Sequence, residues 1–119
     1  MAEIQERTKE YALRAIRLYR FLQTQRDGAG WILGKQYLRA ATSIGANMAE
    51  AQSGESRLDF VHKCSIAQKE ARESKYWLDL MEKSGLVPSA RLKGLRVETE
   101  ELISVITSII VSTKGIGSE

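Results

Sequence analysis

The chain has 119 residues, of which 43% are hydrophobic and 28% charged, and this length fits one globular domain over residues 1–119 and excludes two. The 18 Lys and Arg against 15 Asp and Glu give the chain a net charge of +3, which permits nucleic-acid binding. The chain has one Cys and one His, which excludes a disulfide framework and predicts no metal and no cofactor. The longest uncharged apolar run, residues 102–113, is shorter than the roughly 18 residues of a membrane span, and the N-terminal segment is charged throughout, so we expect a cytoplasmic protein without a membrane partner.

Glycine clusters and the single proline divide the chain into four segments. Each segment is rich in helix-forming residues, and its apolar residues recur at steps of three and four. The pattern predicts helices over about residues 3–26, 31–52, 57–84 and 88–114. With short connections between them, the expected fold is all-α, an antiparallel up-and-down four-helix bundle.

The first helix has an apolar stripe and a basic outer face. The stripe runs through Ile4, Tyr11, Ala15, Leu18 and Leu22. The outer face carries Lys9, Arg17 and Arg20, with Leu13 and Phe21 between them. Cations interleaved with an aromatic ring are able to hold a phosphate backbone and stack a base, although a solvated face has the same composition.

The second helix carries polar residues that share one face. On a helical wheel Arg39, Ser43, Asn47 and Glu50 lie within about 80° of one another, away from the apolar stripe that includes Ile44. One interpretation is that Ser43 and Asn47 bond backbone groups opened by a bend at Gly45. A second is a subunit interface in which Arg39 and Glu50 pair between chains and small residues allow close approach; a third is a ligand or catalytic site.

The third helix has the most regular seam, meaning the line of mostly apolar residues expected to face the other helices, and it has clear ends. Ser56 is the predicted N-cap, and Gly85 the predicted left-handed stop. Outward residues on this helix include Lys69 and Arg72, a second candidate phosphate-binding strip. The seam consists of Phe60, Cys64, Ala67, Ala71, Ser74, Leu78 and Met81.

The fourth helix continues the seam through a β-branched run over residues 105–111. Propensity alone would allow a strand there, but the unbroken helical spacing upstream favours a helix. The predicted seam residues are Leu92, Leu95, Thr99, Leu102, Ile106 and Ile109.

The sequence does not predict an enzyme. His62 and Cys64 are two residues apart and so lie about 200° apart on a helix, where they cannot form a dyad. Glu70 and Glu73 can sit together, but the histidine partners of a di-iron bundle are missing. No recognised catalytic or phosphate-loop motif is present.

The stretch from Leu38 to Ala51 resembles the signature of a bacterial four-helix bundle family. That family includes proteins encoded within intervening sequences of the large-subunit ribosomal RNA gene and is related to accessory proteins of diversity-generating retroelements. The matching residues are Arg39, Ala40, Ser43, Ile44, Ala46, Asn47, Ala49 and Glu50. Departures are Gly45 for the usual proline, Ala51 for the usual glycine and Leu38 for a second arginine.

The resemblance implies a cytosolic ring-like homo-oligomer, a pentamer, and in the retroelement relatives a partnership with a reverse transcriptase and RNA. We therefore expect a non-enzymatic bundle that binds RNA or a ribonucleoprotein through Lys9, Arg17, Arg20, Lys69 and Arg72. The alternative is an adaptor ring without a nucleic-acid role, which docks another protein at Leu13 and Phe21.

Overall fold

The structure, a computed structural model, describes residues 2–117 and contains four helices. These are α1 (Ala2–Thr24), α2 (Gly28–Gln52), α3 (Arg57–Lys83) and α4 (Ser89–Gly117), and no strand occurs within the described residues. Short turns make successive helices antiparallel. Each helix packs on its neighbours in the order α1, α2, α3, α4, and α4 returns to α1. The predicted all-α four-helix fold is confirmed, in a rod of 53 × 21 × 20 Å.

The predicted seam forms the core of the bundle. The β-branched run over residues 105–111 is helical, as the spacing predicted. Of the predicted seam residues, Phe60 and Ile109 are half-buried at the margin, and the others are buried. Small residues at the centre, among them Ala15, Ala41 and Ala67, have no exposed surface. They allow close approach of the helices.

Helix α2 begins three residues earlier than predicted, at Gly28 instead of residue 31. The reason is Asp27, whose Oδ1 accepts hydrogen bonds from the backbone N–H groups of Ala29 at 2.9 Å and Gly30 at 3.4 Å. This N-cap satisfies the first free donors of the helix, so the glycine cluster that resembles a loop becomes a helical turn. At the other end of the bundle, α4 extends to Gly117, beyond the predicted end at residue 114.

Both predicted ends of α3 are confirmed. The Ser56 hydroxyl accepts the backbone N–H of Asp59 at 3.1 Å. Gly85 has a φ of 75°, and the N–H of Leu86 bonds the carbonyl of Met81 at 3.1 Å. This is the Schellman arrangement, in which glycine adopts the left-handed conformation at little cost.

A chain of hydroxyl groups crosses the core. Tyr37 of α2 donates to the hydroxyl of Tyr11 of α1 at 2.9 Å, and the Tyr11 hydroxyl lies 2.6 Å from Thr99 Oγ1 of α4. Thr99 donates its own proton to the carbonyl of Leu95 at 2.6 Å, so Tyr11 must be the donor to Thr99. Every donor in the chain therefore has an acceptor, which is what burial of polar groups requires.

The remaining helix also contributes a hydroxyl to this region. Ser74 of α3 is fully buried near the Tyr11 hydroxyl and donates its own proton to the carbonyl of Glu70 at 2.9 Å. Burial raises the pKa of Tyr11, and it raises the pKa of Tyr37 well above its ordinary value. Both phenols are therefore held in the neutral, hydrogen-bonding form.

We predict that Tyr11→Phe destabilises the fold more than Tyr37→Phe. Removal of the Tyr11 hydroxyl leaves the buried Tyr37 donor without an acceptor, at a cost of about 2 kcal/mol. Removal of the Tyr37 hydroxyl leaves the Tyr11 proton still bonded to Thr99, so about 1 kcal/mol is expected. Urea unfolding followed by circular dichroism measures both; equal losses, or a larger loss for Tyr37→Phe, would contradict the proposed direction of the chain.

The buried phenols also predict a loss of stability in alkali. Because their folded pKa values lie above the unfolded value of about 10, the stabilising contribution is complete below that pH and declines as the pH rises above it. Tyr11 and Tyr37 should therefore ionise only as the helices unfold. Ultraviolet absorbance of tyrosinate and helical circular dichroism, recorded together, test this, and full ionisation of all tyrosines with the helices intact would refute it.

Candidate nucleic-acid interface

The signature arginine of α2 forms ion pairs across the α2–α3 interface. The Arg39 guanidinium contacts Glu73 at 2.6 Å and Glu70 at 3.2 Å. Burial raises the pKa of Glu70, whereas the hydrogen bond from Arg39 lowers the pKa of Glu73. One cation thus holds two neighbouring carboxylates together. The spacing of these two glutamates predicted that they can sit together, but nothing in the sequence pattern identified Arg39 as their partner.

Ser43 and Asn47 bond the backbone of their own helix. Ser43 Oγ donates to the carbonyl of Arg39 at 2.7 Å, and Asn47 Nδ2 donates to the carbonyl of Ser43 at 2.8 Å. Helix α2 continues through Gly45, where a Cβ atom would lie 3.2 Å from Thr8 Oγ1 of α1. Glycine at this position therefore permits the close approach of α1, a role that the sequence alone did not indicate.

Gly45, Ala46 and Ala49 of the signature line a groove between α1 and α2. Its volume is ≈ 540 Å³, and Ala46 and Ala49 on its α2 side are exposed. Glu50 is also exposed, and it has no ion pair within residues 2–117. The predicted pairing of Arg39 with Glu50 between chains stays a prediction, but within the chain Arg39 already has two carboxylate partners. Ile44, in contrast, is fully buried in the core.

All five predicted phosphate-binding residues are exposed, but they occupy two separate faces. Lys9, Arg17 and Arg20 lie on the outer face of α1, and Lys69 and Arg72 lie on α3. Since α1 packs on α2 and α4, α3 stands diagonally opposite α1 in the bundle. One chain therefore does not bring the two sets together. None of the five forms an ion pair in the described part of the chain.

The expectation that Phe21 projects from the outer face is wrong. Phe21 is half-buried against the core, and the Arg91 guanidinium of α4 lies 3.9 Å from its ring centroid. The physical reason is its spacing of three from the core residue Leu18, which turns it towards α4. Leu13 is 43% exposed, so half of the predicted apolar pair remains available at the surface.

Three side chains of α1, spaced seven residues apart, face α4. Arg7 donates two hydrogen bonds to the Glu98 carboxylate, at 3.1 and 2.9 Å. One heptad later the Arg14 guanidinium lies over Gly94, and a further heptad later Phe21 packs under Arg91. Long polar side chains thus fill the edge between α1 and α4, which is the least extensive helix contact in the bundle.

Cys64 and His62 lie apart in the structure and form no dyad. Cys64 is buried and burial raises its thiol pKa, so it is not an activated nucleophile, and His62 is exposed as the predicted separation requires. Within residues 2–117 no group of three or more His, Cys, Asp or Glu side chains is placed to hold a metal ion. No helix in this range has the length and apolarity needed to cross a membrane.

The fold and its surfaces define a helical bundle with an ion-paired signature helix and unpaired basic faces. The family model of the 23S rRNA-intervening sequence protein matches residues 2–108, and the chain belongs to that family. A solved structure from Bacteroides thetaiotaomicron VPI-5482, described as a protein with unknown function from the S23 ribosomal protein family, is 36% identical. The alignment covers 90% of this chain and 97% of that one, with a TM-score of 0.85. No sequence among the curated proteins matches the chain.

We predict that Arg39→Gln destabilises the fold at neutral pH but not in acid. The lowered folded pKa of Glu73 stabilises the fold fully above the ordinary glutamate pKa, and this contribution is lost as the pH falls through the lowered pKa. Arg39 is about half exposed, so the expected loss at pH 7 is about 1 kcal/mol, and it should vanish at about pH 2, where Glu73 is protonated in the folded and the unfolded protein.

Urea unfolding at both pH values tests this prediction. Glu50→Gln is the matched control, because Glu50 is exposed and unpaired within residues 2–117, and its effect should stay below about 0.5 kcal/mol. An Arg39→Gln loss that is the same at both pH values would show that packing of the side chain, and not its ion pairs, contributes to stability.

Proposed function

We propose that the protein is a non-enzymatic, homo-oligomeric bundle of the cytoplasm that binds RNA, free or in a ribonucleoprotein, through the basic outer faces of α1 and α3. The observation that carries the proposal is the exposure of Lys9, Arg17, Arg20, Lys69 and Arg72 without an ion pair in residues 2–117. Other cations, such as Arg39 and Arg96, are already paired with carboxylates of the chain.

Unpaired surface cations favour a polyanionic partner for a physical reason. RNA phosphates carry condensed counterions, and their release on binding makes each lysine or arginine contact favourable at low salt. A cation that is already held by a carboxylate gains less, because that pair must be broken first. The unpaired residues on α1 and α3 are therefore better placed to bind phosphate than Arg39 or Arg96.

The proposed homo-oligomer would serve the same function. The two basic faces lie on opposite sides of a rod about 20 Å across, so a single chain presents only one of them to a given stretch of RNA. In a five-membered ring neighbouring copies would present several faces, and the +3 charge of one chain would be multiplied fivefold. The groove of Ala46 and Ala49 between α1 and α2 is the proposed subunit contact.

The alternative is an adaptor ring that docks a protein. Leu13, 43% exposed between the basic residues of α1, favours it. The stacking of Arg91 on Phe21 removes the second apolar side chain that this interpretation requires. Salt separates the two functions, since an apolar protein interface is insensitive to ionic strength and phosphate binding is not.

We predict that single-stranded RNA binds at low salt and that the double variant Lys9→Gln, Arg20→Gln weakens binding about tenfold. Each phosphate contact that is lost should also reduce the slope of log affinity against log salt by about 0.7. Fluorescence anisotropy with a labelled oligouridylate measures both quantities. The pair Lys69→Gln, Arg72→Gln tests the face on α3 in the same way.

Glu50→Gln and Arg57→Gln are the controls for this measurement. Glu50 lies outside the basic faces. The substitution Arg57→Gln removes one exposed positive charge at the start of α3. Arg57→Gln should change the affinity less than twofold. If every lysine or arginine variant weakens binding equally, the attraction depends only on net charge and the assignment of these faces is wrong.

A further inference from the structure

The edge between α1 and α4 contains a second, smaller groove with an unusual concentration of arginine. Its volume is ≈ 250 Å³, and its lining residues are Arg14, Arg17, Leu18, Arg91, Gly94 and Leu95. Leu18 and Leu95 are buried and form an apolar floor. Three guanidinium groups therefore lie around a groove with an apolar floor, and their like charges together attract an anion.

Gly94 of α4 leaves room for the end of the Arg14 side chain. A Cβ atom at Gly94 would lie 2.8 Å from the terminal Nη2 of Arg14, so a larger residue there would make the flexible end of Arg14 shift. Arg14 is half-buried, yet it makes no hydrogen bond and no ion pair within residues 2–117. Three arginines without an ion pair among the described residues, in a groove lined by no carboxylate, are an observation that points to an anionic ligand.

Arg91, on the α4 side of the groove, is positioned by the ring of Phe21. Its guanidinium stacks on the Phe21 ring at 3.9 Å, which fixes the plane of the group and leaves its N–H donors free of protein acceptors in the described chain. Arginine held in this way is preorganised for two parallel hydrogen bonds to a phosphate. Stacking against an aromatic ring also reduces the entropy that is lost when a ligand binds.

The acidic residues nearby do not neutralise the site. No carboxylate lines the groove. Glu98, one turn beyond Gly94 on α4, is bound by two hydrogen bonds to Arg7. Glu10, one turn before Arg14 on α1, is exposed and forms no ion pair with it. The three guanidinium groups thus keep their charge available for a ligand.

We infer that this arginine groove, formed by Arg14, Arg17 and Arg91 around Gly94, is a phosphate-binding site for the backbone of the bound RNA. The inference rests on the proposed function, because it gives one defined phosphate contact to the α1 surface. Arg17 belongs both to the groove and to the basic outer face of α1, so the groove continues that face towards α4. Free phosphate offers the same chemistry, and the test separates the two sources.

The test compares three groove variants with the wild-type protein. Arg14→Gln and Arg91→Gln each remove a charge-assisted contact and should weaken binding of a labelled oligouridylate on the order of tenfold at low salt. Gly94→Ala leaves the net charge unchanged but displaces the Arg14 guanidinium, and we expect a loss of about threefold to fivefold. Alanine is favoured over glycine inside a helix, so this variant should fold.

Arg57→Gln is the charge-matched control, and it should change the affinity less than twofold. In a parallel arm, thermal unfolding of the same proteins in sodium phosphate and in sodium chloride, at equal ionic strength, measures binding of inorganic phosphate. The wild type should gain stability in phosphate, and Arg14→Gln should lose that gain.

The outcomes separate this inference from the proposed function. If the wild type binds RNA, and Arg14→Gln, Arg91→Gln and Gly94→Ala bind it equally well while Lys9→Gln, Arg20→Gln does not, the groove is refuted and the RNA-binding function stands. If the wild type does not bind RNA but phosphate stabilises it through Arg14, the assignment to RNA is wrong. Selective loss of RNA affinity in all three groove variants, with Arg57→Gln unaffected, supports the site.

Discussion

The buried hydroxyl chain from Tyr37 through Tyr11 to Thr99 is the interaction on which the arrangement of the bundle depends. Apolar contacts alone favour burial but tolerate small rotations of a helix about its axis. Buried hydrogen bonds of 2.9 and 2.6 Å do not tolerate such rotations, because a rotation that separates the hydroxyl groups leaves a buried donor unpaired. The hydroxyl chain therefore sets the rotation of α1, α2 and α4 relative to one another.

That rotation decides the role of every other side chain on α1. Once Tyr11 points into the core, Arg7, Arg14 and Phe21 lie on the side of α1 that faces α4. Lys9 and Arg20 then face solvent. The edge with α4 is consequently filled by guanidinium groups and one aromatic ring instead of tightly packed small residues. On α2 the same logic turns Gly45 towards Thr8 and leaves Arg39 free to reach the two glutamates of α3. The core thus positions both the ion-paired signature and the unpaired basic surfaces.

Sequence periodicity was sufficient to predict the four helices and the residues of the seam, because helical spacing alone determines which residues of one helix share a face. Ser74 and Thr99 were correctly placed in the core, but their hydrogen-bond partners lie on other helices and no single-helix pattern identifies them. The start of α2 was misplaced because the capping carboxylate of Asp27 outweighs the glycines that follow it. The partners of Arg39 and the pairing of Arg91 with Phe21 depend on contacts between distant segments, which only the folded arrangement specifies.

The central functional claim is that the assembled bundle binds RNA by charge. Light scattering on a sizing column, with absorbance recorded at a protein and a nucleic-acid wavelength, tests it most directly on freshly purified protein at low and then high salt. If the bundle assembles and binds RNA by charge, an oligomer should carry nucleic acid at low salt and release it at high salt while its protein mass stays constant. A monomer, or an oligomer that carries no nucleic acid at low salt and binds none when RNA is added, would refute RNA binding by the assembled bundle.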